Sequence, residues 1–89
     1  MSVPHLSIVR IEDVDSPADR ARRLYAEAQA AAMEQVEQLQ TALDSVVGLA
    51  GSIADGGDIY PAGVRDLCRR TAEDTKARRM TVEALSARR

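Results

Sequence analysis

The sequence predicts an all-α chain: an antiparallel two-helix hairpin, with a long first helix at about 17–54 and a second at about 61–88, behind an extended N-terminal arm. Three observations predict it. No proline falls between Pro17 and Pro61, and apolar residues recur every three or four positions through most of that interval, the spacing of one helix face. Gly56, Gly57 and Pro61 then fall close together, the punctuation that ends one helix and starts another. A second, weaker periodic segment follows them.

Residues 1–15 carry Leu6, Ile8, Val9, Ile11 and Val14 in only partial alternation, which reads as an extended arm or short edge strand. Ser16 stands as an N-cap, with Pro17 at the first helical position and Asp19 three residues past the cap, where a capping box usually has glutamate. The chain therefore divides into an arm at 1–15 and a hairpin domain at 16–89.

Placed at ~100° per residue, Ala18, Ala21, Tyr25, Ala28, Ala32, Val36, Leu39, Leu43, Val46, Ala50 and Ile53 form one seam on the first helix. Its seven-residue repeat is interrupted by a four-residue stutter around 28–36, which relaxes a left-handed supercoil. The full apolar arc, including Leu24, spans roughly 160°, more than one partner helix buries. Gly48 and Gly51 lie on or near the polar side, each at a cost of ~1 kcal/mol relative to alanine. After the glycine stop, Val64, Leu67, Cys68, Thr71, Thr75, Val82 and Leu85 share one side of the second helix, interrupted by Arg78.

At ~1.5 Å per residue the helices are roughly 57 Å and 42 Å long. A second helix folded back on the first is expected to leave Ala21, Leu24 and Tyr25 without cover. A chain of 89 residues also makes only a marginal core by itself. Both points predict a homodimer of hairpins, a four-helix bundle with coiled-coil-like packing. The side chains expected to carry association are Leu24, Tyr25, Val36, Leu39, Leu43, Val46, Ile53, Leu67, Val82 and Leu85. Ile59 and Tyr60, an apolar pair in a turn that should be polar, offer a further contact for a protein partner.

Composition narrows the function classes. Two tyrosines, no phenylalanine and no tryptophan stand against fifteen alanines, which fits close-packed helices better than an aromatic-lined ligand pocket. One cysteine, Cys68, and one histidine, His5, are too few for an intrachain disulfide or a cysteine and histidine metal cluster. No nucleophile and base pair assembles. The glycine loop lacks the lysine and hydroxyl residue of a P-loop, and Asp55 and Asp58 lack the closing glutamate of a calcium loop. No apolar run approaches a membrane span of roughly 18 residues, and the N-terminal segment lacks the pattern of a secretory signal. The expectation is a cytoplasmic, non-enzymatic chain without cofactor, metal, membrane or small-molecule substrate.

Charge is the most informative chemical feature. Residues 1–60 carry ten acids against four arginines, and residues 61–89 carry eight bases against four acids. Such halves set register and orientation more than affinity when laid side by side. Arg65, Arg69, Lys76 and Arg79 recur on one side of the second helix, so a small DNA-associated regulator is the alternative reading. Against it, acids stand at ion-pairing spacing, Asp66 with Arg70 and Arg79 with Glu83, and no aromatic residue on that helix stacks on a base. The favoured function is a self-associating helical interaction module, an adaptor, regulatory or structural subunit.

Overall fold

A computed structural model describes residues 16–88, so the arm expected at 1–15 lies outside the described residues. Two α-helices, α1 (Pro17–Ala54) and α2 (Ala62–Ser86), are joined through a short 3₁₀ turn (Gly57–Ile59). The chain divides into two compact units, 1–34 and 35–89, with the boundary inside α1.

In the first unit α1 begins as the sequence predicts. The Asp19 N–H donates to Ser16 Oγ at 3.0 Å, and the Arg20 N–H donates to the Ser16 carbonyl at 2.9 Å. The first bond satisfies one of the donors that a helix start leaves without partners, and the second is the first bond of the helix itself. The Asp19 carboxylate pairs with Arg22 one turn on. Arg22 first, and Ser16 second, hold that carboxyl below its ordinary value. Further along, Leu24 and Tyr25 are exposed, while Gln29 and Met33 are half-buried.

In the second unit the end of α1 and α2 run antiparallel as a hairpin. Two polar contacts fix the register. Arg79 Nε lies 2.5 Å from Asp44 Oδ1, and an Arg69 guanidinium N–H donates to the Ala54 carbonyl at 3.4 Å. The covered seam takes Val36, Gln40, Leu43, Val47, Ala50 and Ala54 from α1, and Arg65, Cys68, Ala72, Thr75, Arg79, Val82 and Ser86 from α2; Gly51, Ile53 and Thr71 beside it are also half-buried. Both sets step by alternating threes and fours, the seven-residue repeat of coiled-coil packing.

This seam differs from the expected one. From Val36 on it includes Gln40 in place of Leu39, Val47 in place of Val46 and Ala54 in place of Ile53. Of its members, Ala50 and Ala54 are 7% and 6% exposed and are the buried core among the described residues. Most of the others are small or polar: Cys68, Ala72, Thr75, Gln40, Arg65, Arg79 and Ser86. The Gln40 Oε1 is buried without a hydrogen-bond partner, and so is Arg79 Nε. Arg79 Nε is close to Asp44 yet poorly aligned for a directional bond, so that contact is an ion pair rather than a hydrogen bond.

The turn is built around its glycines. The Asp55 N–H donates to the Gly51 carbonyl at 3.0 Å, and the Gly56 N–H tightens the end by donating to Ile53 at 3.1 Å. Gly57 takes φ +79°, the left-handed region where a side chain is strained. Gly56 serves a different purpose: a Cβ there would stand 2.7 Å from Tyr60 Cδ2, so the ring would have to move. Pro61 is the N-cap of α2 rather than its first helical residue. Its fixed φ suits either place, and its carbonyl accepts the Arg65 N–H at 3.0 Å. At the other end α2 stops at Ser86, two residues before the expected Arg88, in a tightened turn where the Arg88 N–H donates to Leu85. A Cβ at Gly48 or Gly51 would meet open space, and nothing in the structure requires glycine at either.

Candidate interaction surface

A helix with a seven-residue seam carries a second stripe one residue earlier, rotated by ~100°. In the hairpin the residues one step before each seam position are Gln35, Leu39, Ala42, Val46, Leu49 and Ile53 on α1, with Val64, Leu67, Thr71, Asp74, Arg78, Thr81 and Leu85 on α2. Because both helices are right-handed and run in opposite directions, these two stripes lie on the same broad face of the two-helix layer. The residues one step after the seam, including Glu37, Asp44, Arg69, Lys76 and Glu83, lie on the opposite face. The hairpin therefore has one mainly apolar face, broken by Asp74 and Arg78, and one mainly charged face, on which Met80 is also exposed.

The apolar face carries side chains larger than those in the interior. Leu49 is 69% exposed, Leu67 57% and Leu39 48%, and Val46, Val64 and Leu85 are also open. Of the side chains predicted to carry association, Leu39, Val46, Leu67 and Leu85 belong to this face, and Ile53 lies on it half-buried. Val36, Leu43 and Val82 belong to the intrachain seam instead. Leu24 and Tyr25 are exposed within the first unit. Sequence reasoning missed Leu49 and Val47. The signal was the breadth of the apolar arc, which resolves into two stripes one residue apart; from Val36 on, the expected seam stepped back and forth between them.

The turn pair separates. Tyr60 is half-buried against Gly56, whereas Ile59 points outward at 78% exposure. Tyr60 closes the end of the hairpin, and only Ile59 is offered to solvent.

The basic residues of α2 are largely engaged within the chain. Arg65 Nε donates to the Tyr60 carbonyl at 3.2 Å. Arg69 reaches the Ala54 carbonyl and Asp66 at 3.9 Å. Arg70 pairs with Asp66 at 3.2 Å, and Arg79 pairs with both Asp44 and Glu83. Arg65, Arg69 and Arg79 thus secure the turn and the register, while Lys76 lies on the charged face. Cys68 is a free, half-buried thiol in the seam. Among the described residues no group of three or more histidines, cysteines or acids could hold a metal ion, and no helix is long and apolar enough to cross a membrane.

No protein-family model, curated protein or solved structure matches the chain.

Proposed function

We propose that the chain is a non-enzymatic, self-associating helical interaction module of the cytoplasm, serving as an adaptor, regulatory or structural subunit. One observation carries this reading: several leucines and valines stay in water on one face, while the residues buried among those described are two alanines. Leu49 and Leu67 are more than half exposed, while the buried core is Ala50 and Ala54. Fully burying a leucine contributes roughly 1.5–3 kcal/mol, so several such side chains on one face favour a second surface over water. Contiguous exposed apolar surface rimmed by polar groups marks a protein interaction site.

Sedimentation over a range of protein concentrations, with circular dichroism on the same samples, tests the proposal. The expected result is a dimer mass with helical signal retained and little change on adding salt, since apolar burial is not screened. A helical monomer at every concentration overturns it. A titration with duplex DNA at two salt concentrations separates the alternative: tight binding that falls steeply with salt would assign the basic residues of α2 to nucleic acid.

A further inference from the structure

Resting on that reading, we infer how the second copy sits: the apolar face of one hairpin docks on the same face of another, with the two α1 stripes antiparallel about a twofold axis level with residue 44. Leu39 then faces Leu49 of the second copy, and Ala42 faces Val46 of the second copy.

Four features of residues 35–89 carry this. The first is sidedness. The charged face is already occupied by its own ion pair, Asp44 with Arg79, and by the Arg69 bond to the Ala54 carbonyl, whereas the apolar face carries the exposed Leu39, Val46, Leu49 and Leu67.

The second is charge. A twofold contact places a patch against itself, so a patch of one sign repels its copy. The α1 stripe from Gln35 to Ile53 contains no charged residue, so along α1 this face tolerates its own image.

The third is size. About twenty residues of α1 rise roughly 30 Å, and two helices 8–10 Å apart present a layer roughly 20 Å wide. A face of ~600 Å² approaches the ~800 Å² that each partner contributes to a stable interface.

The fourth is the alternation of large and small residues. Interiors are close-packed, and small residues pack best against large ones. A parallel pairing would stack Ala42 on its own copy and leave that layer thin. The antiparallel pairing sets Ala42 against valine and overlaps the whole stripe.

The test uses the full chain and three variants: Leu39→Glu, Leu49→Arg, and the two combined. Dimer dissociation constants come from sedimentation, and helical content from circular dichroism. Positions 39 and 49 are exposed on the hairpin, so all variants should keep the helical signal of the parent. Each single variant buries a lone charge against leucine and is expected to weaken the dimer at least ~100-fold. The combined variant places glutamate opposite arginine twice across the twofold axis and is expected to recover most of that loss. Single variants that weaken the dimer with no recovery in the combination would overturn the antiparallel pairing. A parent dimer that both single variants leave intact would overturn the choice of face while sparing self-association. A parent that is monomeric throughout removes the self-association reading and this inference together.

Discussion

Leu43 and Leu49 lie six residues apart on α1 and have opposite surroundings. Leu43 sits in the seam against α2, half-buried, while Leu49 stands on the next stripe in water. The inner stripe is the poorer of the two in hydrophobic material, with Gln40, Ala50 and Ala54 among its members, and the outer one holds Leu39, Val46, Leu49 and Ile53. The contrast teaches that burial in this hairpin does not follow side-chain hydrophobicity. The inner stripe suits close approach, small residues flanked by polar contacts that set register, and the outer stripe keeps the larger share of apolar surface in reserve.

The most direct way to break the comparison is a matched pair of truncations under conditions where the chain is monomeric. Leu43→Ala should cost roughly 2 kcal/mol, the low end of the range for leucine because the site is only half-buried. Leu49→Ala should fall within about 0.5 kcal/mol of the parent. Urea unfolding of both variants measures the difference, and equal losses would mean that the two stripes are equally enclosed.

A smaller effect sharpens the inner side. Gln40 Oε1 is buried without a partner, and leaving such an atom unmatched costs about 1–3 kcal/mol. Gln40→Leu should therefore raise stability by about 1 kcal/mol, seen as a higher urea midpoint at unchanged slope. A loss of stability would show that the amide makes a contact worth more than its burial costs.

The smallest effect lies at the N-terminus of α1, distant in sequence from both hairpin stripes, and serves as a control. Arg22 and Ser16 lower the Asp19 carboxyl from its ordinary value of 3.8. A depressed folded-state value means that the carboxylate's support is present above pH 3.8 and fades as pH falls through the lower, folded value. Helical signal should decline slightly in that acid range in the parent, and Asp19→Asn should remove that part of the decline. An unchanged acid profile in the variant would show that the capping hydroxyl of Ser16 alone holds this turn.

Helix existence and ends were legible because their causes are local. Ser16, Pro17 and the glycine pair act through backbone geometry within a few residues, so α1 was placed at 17–54 and observed at Pro17–Ala54. The start of α2 was displaced by one residue, since proline's fixed φ serves an N-cap as readily as a first helical position. The 3₁₀ turn at Gly57–Ile59 went unread, because nothing in its composition demands it. The choice of seam was not legible from periodicity alone. Two stripes one residue apart satisfy the same heptad rule, and hydrophobicity does not choose between them. What decides is tertiary: Arg79 against Asp44 and Arg69 against the Ala54 carbonyl, pairings between residues far apart in the chain.

The turn acquires a further meaning from this. Since the two stripes of α1 are interchanged by rotating the helix ~100° about its axis, the interior of the hairpin is a matter of phase. Tyr60 packed on Gly56, and Gly57 held at φ +79°, set the angle at which α2 leaves the end of α1. These few residues act as an indexing pin. They keep the richer stripe turned outward, so that most of its aliphatic area is left uncovered by the hairpin's own folding.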